Sequence, residues 1–287
     1  MKVLMSPVSD RPESRTALKV TLGLADLLGA NVVGCHLRPS RDKRKEYPAR
    51  KLFLMGGSDQ QSLDELARKT TKSASARARG LFEQMAGEAG FTLVRRPRIN
   101  LEKGAIWQEK VGTPDRIMAI AGPMSDLIVV SRTASKGKVD RMFMLAALLH
   151  SGRPVLIMPP GKNGIPGKRI AIAWNQSPEA ARVVSACMPL LQAAEKVQII
   201  SAGRDNQLGP KSSQLAAYLI HYGIKAERIM TQGHDESTEL TASFRETGSD
   251  LVLMGAYSRA RVRELVFGGM TELMLRKSSI PVVMQHH

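Results

Sequence analysis

The strongest constraint on this chain is that it states one pattern twice. Ser125-Asp126-Leu127-Ile128-Val129-Val130 returns as Ser249-Asp250-Leu251-Val252-Leu253-Met254. Each run is followed by a second apolar stretch, Arg153-Pro154-Val155-Leu156-Ile157-Met158 in the first case and Ile280-Pro281-Val282-Val283-Met284 in the second. A unit of roughly 120 to 165 residues is too large for a solenoid repeat and is the size of a domain. The chain therefore reads as two copies of one domain, and its 287 residues agree with that number.

Within each copy, short β-rich runs alternate with helical patterns, which implies crossover connections and a parallel sheet. The first copy reads as strands near 2–7, 31–37, 92–99, 126–130 and 155–158, with helices near 13–28, 62–89, 114–121 and 140–150. The second reads as strands near 169–174, 197–202, 227–231, 250–255 and 281–285, with helices starting near Pro178, Pro210, Ser237 and Gly268. Ser177-Pro178-Glu179 and Thr113-Pro114-Asp115 are helix starts with an N-cap residue and proline at the first helical position. The Pro- and Gly-rich stretch 159–167 is a linker by composition, which places the domains at 1–160 and 168–287. The expected fold is α/β, two five-stranded parallel sheets with helices on both faces.

Only the second copy carries a glycine-rich connection between its last two strands. Gly255-Ala256-Tyr257-Ser258 is followed after nine residues by Gly268-Gly269-Met270-Thr271. In a parallel α/β sheet, ligands bind beyond the carboxyl ends of the strands, and phosphates favour the start of the following helix. Gly255 admits a close backbone approach, Gly268 and Gly269 offer successive N–H groups, and Thr271 adds a hydroxyl in the first turn. Arg259, Arg261 and Arg263 lie between them as candidates for phosphate pairing. Taken alone this pattern is weak, because ordinary turns also use glycine.

The run from Gly255 through Ser258 to Gly268-Gly269-Met270-Thr271, closing on Pro281-Val282-Val283-Met284, resembles the C-terminal signature of the universal stress protein (UspA) family, written Gly-x2-Gly-x9-Gly-(Ser/Thr) in its nucleotide-binding members. Ile170-Ala171-Ile172-Ala173-Trp174-Asn175-Gln176-Ser177 stands where that family has a hydrophobic strand followed by Asp-Gly-Ser. The resemblance covers essentially the whole chain except 38–60. It implies a tandem member with an adenine nucleotide alpha hydrolase-like fold, whose closing edge strands, 155–158 and 281–285, meet as an intramolecular pseudo-dimer. It further implies ATP or a related adenine nucleotide in the second copy, with Mg²⁺ accompanying it. The phosphates would lie on Gly268, Gly269 and Thr271 beside Met270, Gly255, Ser258 and Arg259, and the base near Ala173 and Asn175. Departures stand at Ser258 for the second glycine, Gly269 for the small hydroxyl residue and Asn175 for an aspartate. The first copy, with Ser131-Arg132-Thr133-Ala134-Ser135-Lys136 and Ser9 at the corresponding places, reads as degenerate for nucleotide.

The net charge of +16 is uneven. Residues 1–165 hold 28 Lys+Arg against 15 Asp+Glu, and residues 166–287 hold 14 against 11. Part of the excess is a run from Arg38 to Lys51 with no counterpart in the second copy, expected to be a surface insertion that docks an acidic protein or another subunit if it docks anything. Only 12 residues are Phe, Trp or Tyr and none is interleaved with that run, so a base-stacking nucleic-acid platform is not indicated. Cys35 and Cys187 suggest neither a disulfide framework nor a metal site. The six histidines show no metal-ligand spacing on one helix face; His234 borders a strand end, and the terminal pair His286-His287 reads as a tail. No stretch is long and apolar enough to span a bilayer, and the start of the chain turns polar too early for a signal peptide, so a cytoplasmic protein is expected. With no nucleophile elbow, Walker lysine or nameable catalytic base, ATP hydrolysis would be weak at most. Two functions stay open, a nucleotide-binding stress-response regulator and a scaffold of the same family that acts through protein contacts alone.

Overall fold

Aliphatic runs flanked by turn residues become the strands, and the helices between them carry one apolar face each. The structure is a computed structural model that describes residues 1–38, 72–132, 138–202, 208–231, 236–256 and 269–286. It divides into two units, Met1–Arg153 with Pro160–Asn163, and Pro154–Pro159 with Gly164–His287. Ser258, Arg259, Gly268, the arginines at 261 and 263, His234, His287 and the basic run beyond Arg38 lie outside the described residues.

The first unit runs β1 (Val3–Pro7), α1 (Pro12–Leu28), β2 (Asn31–Arg38), α2 (Lys72–Glu88), β3 (Thr92–Leu93), β4 (Gly104–Val111), α3 (Pro114–Ala121), β5 (Leu127–Ser131) and α4 (Lys138–His150). Its strands lie in the order β3-β4-β2-β1-β5, all parallel. The second unit runs β6 (Val155–Met158), β7 (Arg169–Ala173), α5 (Pro178–Ala186), α6 (Met188–Ala193), β8 (Lys196–Ala202), α7 (Ser212–Ile220), β9 (Ala226–Thr231), α8 (Glu236–Glu246), β10 (Leu251–Gly255), α9 (Gly269–Lys277) and β11 (Val282–Gln285). Its order is β6-β11-β10-β7-β8-β9, parallel except where β6 meets β11. The two closing strands, one from each copy, thus pair antiparallel with Val283 opposite Leu156, and every residue of both is buried. That pairing removes two apolar sheet edges.

The sequence misplaces one strand. Only Thr92 and Leu93 of the expected 92–99 run are extended in the sheet, and the full-length partner of β2 is Gly104–Val111. Pro97 has no N–H for a ladder, and the chain turns back through Asn100 and Lys103, both in left-handed conformation at φ 59° and 52°. The helix from Pro178 also stops at Ala186 and restarts as α6, because Pro189 cannot donate to the preceding turn. Ser177 caps α5 by accepting the Ala180 N–H at 3.1 Å, whereas the Thr113 side chain makes no such bond at α3. Arg38 is the last residue of β2 and pairs with Glu109 on β4.

The repeated Ser-Asp explains itself at the amino ends of the strands. Asp126 accepts the Lys2 and Val3 N–H groups at 2.5 and 3.0 Å, and Asp250 accepts those of Gly167, Lys168 and Arg169 at 3.1, 3.1 and 3.0 Å. Each carboxylate therefore clamps the start of the neighbouring central strand, β1 or β7. Replacing Asp250→Ala should lower stability by about 2 kcal/mol, read as a reduced urea midpoint with unchanged slope, because three backbone donors lose a charged acceptor.

Both cysteines are free and buried. Burial pushes the Cys35 thiol up to about 11, against a smaller opposing pull from Lys110, and the Cys187 thiol up to about 12. Since only the thiolate reacts, a disulfide reagent at pH 8 should label the native protein on the order of a hundredfold more slowly than the unfolded chain. Prompt labelling of the native protein would contradict this account.

Candidate functional site

The second unit has its switch point between β7 and β10. From β7 the chain steps outward to β8 and β9 on one side, and β10 and β11 fill the other, so a crevice opens where the carboxyl ends of β7 and β10 lie side by side. Met254 is in register with Ala173, which sets Gly255 beside Trp174 at the mouth of that crevice. The described candidates Ala173, Asn175 and Gly255 therefore converge on one strand-end face, and Gly269, Met270 and Thr271 open α9, the helix that follows β10.

Their individual roles differ from the sequence reading in three places. Gly255 is required by packing within the protein. A Cβ there would stand 2.7 Å from the Ala180 nitrogen and 2.7 Å from the Glu179 Cβ, so the start of α5 occupies the space that glycine vacates. Asn175 is exposed, and its Oδ1 accepts the Ser177 N–H at 3.2 Å and the Ser177 hydroxyl at 2.7 Å. This Asx turn sets up the Ser177 cap and leaves the amide nitrogen of the exposed side chain without a partner among the described residues. Thr271 is buried at 7% exposure in the first turn of α9, whereas Gly269 is exposed and no described residue comes within 4 Å of where a Cβ would be. Glu272 in that turn would oppose an anion, and Arg276 one turn later pairs with it.

Residues with no obvious sequence signal complete the neighbourhood. The Trp174 indole N–H donates to the Pro210 carbonyl at 2.8 Å, and a Cβ on Gly209 would lie 2.2 Å from the Gln176 carbonyl oxygen. Gln176 itself is buried with φ 60°. The Leu208–Lys211 segment therefore lies over the turn that leaves β7.

The same positions in the first unit are filled differently. Ser131 replaces Gly255 at the end of β5, and its hydroxyl is buried without a partner among the described residues. Ser9 replaces Asn175 and bonds the Ser14 hydroxyl at 2.8 Å. On β2, His36 bonds the Val8 carbonyl through Nδ1 at 2.7 Å and the Ser75 hydroxyl through Nε2 at 3.1 Å, and it stacks on Trp107 at 5.6 Å. The matching register position on β8 is Ser201, 3% exposed, whose hydroxyl has no partner among the described residues. Beside the central strand, the first unit thus holds a satisfied imidazole where the second holds an unengaged hydroxyl. Burial also pulls the Arg132 pKa below the usual arginine value at the end of β5. Among the described residues no group of His, Cys, Asp and Glu side chains is arranged to hold a metal. None of the described helices is long and apolar enough to cross a membrane.

No family model matches the chain. A universal stress protein of Synechocystis sp. is 36% identical over 91 residues, a match that covers 30% of this chain and 31% of that relative. The match thus spans about a third of the relative's length. A universal stress protein of Archaeoglobus fulgidus DSM 4304 superposes with a TM-score of 0.69 at 18% identity, covering 99% of this chain and 98% of that one. A functionally unknown protein of Pseudomonas aeruginosa PAO1 superposes with a TM-score of 0.56 at 13% identity, over 99% and 92% of the two chains. These structures show that the chain has the fold of universal stress proteins, and over 91 residues its sequence is similar to one of them.

Proposed function

We propose that the protein is a stress-response regulator whose second copy binds ATP or a related adenine nucleotide while its first copy does not. The observation that carries this reading is the paired ends of β7 and β10 at a switch point, with Asn175 on one and Gly255 on the other. Backbone N–H groups at the start of α9, with Gly269 unshielded by a side chain, supply the phosphate end. The Asn175 amide nitrogen and the half-buried Ala173 supply the nucleoside end. Gly255, Met270 and Thr271 support the backbone around them, and Ser258, Arg259 and Gly268 belong to the same connection in sequence. Mg²⁺ would arrive with the phosphates and would neutralise part of their charge.

The scaffold reading keeps one specific support, the engagement of the Asn175 acceptor by its own turn. Native mass spectrometry of the purified protein, followed by calorimetric titration with ATP, separates the two. One nucleotide per chain supports the proposal. Two equivalent sites, or no heat and no adduct with any adenine nucleotide, would leave the scaffold or a symmetric binder in its place.

A further inference from the structure

The connection between β3 and β4 in the first unit carries Arg95, Arg96 and Arg98, all exposed, beside exposed Leu93, Pro97 and Ile99. None of the three guanidiniums has an ion pair or hydrogen bond with a described residue. Ile99 is 94% exposed and Leu93 48%. Three cations alternating with uncovered apolar groups have lost no charge to internal pairing, and they leave apolar surface in water that a partner would remove.

The base of this loop is held firmly. Thr92 donates to the Lys103 carbonyl at 2.8 Å, Val94 to that of Ala105 at 3.0 Å and Leu101 to that of Arg98 at 3.3 Å, while the Asn31 side chain accepts the Gly104 N–H at 2.7 Å. Lys103 is paired with Asp26, and exposed Glu102 is the acidic residue within the loop. The loop stands beside the amino ends of β2 and β4, at the pole opposite the strand ends that carry ligands in this fold. Its role is therefore separate from nucleotide binding.

We propose that this loop docks the protein on an anionic phospholipid bilayer, with the arginines at the phosphates and Ile99 among the headgroups. The run 93–99 is far shorter than the roughly 20 to 30 residues a side that stable protein interfaces bring together, whereas a lipid surface sets no such requirement. Duplex nucleic acid would accept the arginines but would hold the apolar tip against charged backbone, and no aromatic side chain is in the run to stack on bases. Arginine near an anionic leaflet and a buried aliphatic tip are the two elements of interfacial binding.

The test uses the full chain with sedimenting vesicles of phosphatidylcholine containing 30 mol% phosphatidylglycerol (about one lipid in three anionic), and with pure phosphatidylcholine as the neutral arm. Binding to the anionic vesicles alone is expected, weakening as salt rises toward a Debye length of about 3 Å. R95Q/R96Q/R98Q should weaken it on the order of a hundredfold, about fivefold per charge, and Ile99→Ser roughly tenfold without changing the salt dependence. All four positions are exposed, so an unchanged thermal midpoint shows that the variants fold. Wild-type protein that ignores the anionic vesicles overturns the proposal, as does full binding by the triple variant. So would Ile99→Ser binding normally while duplex DNA competes the vesicles off, an outcome that assigns the loop to nucleic acid.

Discussion

Gly269→Val should weaken nucleotide binding by about a hundredfold while leaving the thermal midpoint unchanged. No heavy atom of a described residue lies within 4 Å of the position where a Cβ would sit, so the side chain clashes with nothing among the described residues. In the proposed binding mode it would instead crowd the first N–H groups of α9, where a phosphate would come within about 3 Å, and losing charge-assisted bonds of that kind costs about 1.5 to 3 kcal/mol. Gly255→Ala should behave in the opposite way. Its Cβ would lie 2.7 Å from a backbone nitrogen of α5, so β10 and α5 must part, at a cost of about 1 to 3 kcal/mol in stability. Titration calorimetry and thermal denaturation on the two variants read both effects. Undiminished binding by Gly269→Val would remove α9 from the nucleotide reading, and a fully stable Gly255→Ala would contradict the packing role assigned to that glycine.

Phe82→Ala should be the most destabilising single change in the first unit, at about 3 to 5 kcal/mol. The ring is fully buried and lies directly on β2, where a Cβ on Gly34 would be 2.5 Å from it. It also packs against Trp107 at 5.6 Å, and Trp107 in turn stacks on His36, so α2, β2 and β4 share one aromatic contact. Gly34→Ala alone should cost about 1 to 3 kcal/mol, and nearly nothing when Phe82 is already alanine, because the ring that blocks the new methyl is gone. A denaturation cycle over the four proteins measures this coupling. Additive losses would show that the ring can move aside and that the contact is not tight.

What the linear sequence determined was everything that depends on neighbours along the chain. The strand–helix alternation is a local pattern, and most described elements lie within a few residues of where periodicity puts them. Apolar closing strands in both copies likewise implied that they would be covered. The strand at 104–111 escaped because Gly104-Ala105-Ile106-Trp107 reads as a short mixed run, and only its ladder with β2 makes it a strand. The β-rich start Thr92-Leu93-Val94 drew the expectation onto 92–99, where the chain in fact leaves the ladder after Leu93.

The site divides along the same line. Its glycine spacing was legible, and the resemblance gave it a meaning, but the job of each residue was set by contacts across the fold. Gly255 meets α5, a helix that begins 77 positions earlier in the chain. Asn175 spends its acceptor on Ser177, and Thr271 turns inward. The difference between the copies at His36 and Ser201 becomes visible only when β2 and β8 are set in register against their central strands. Sequence carries the identity of a side chain and its local conformational preference. Which backbone atom stands 2.7 Å from it, and whether its hydrogen bonds are already taken, is decided by packing between segments far apart in the chain.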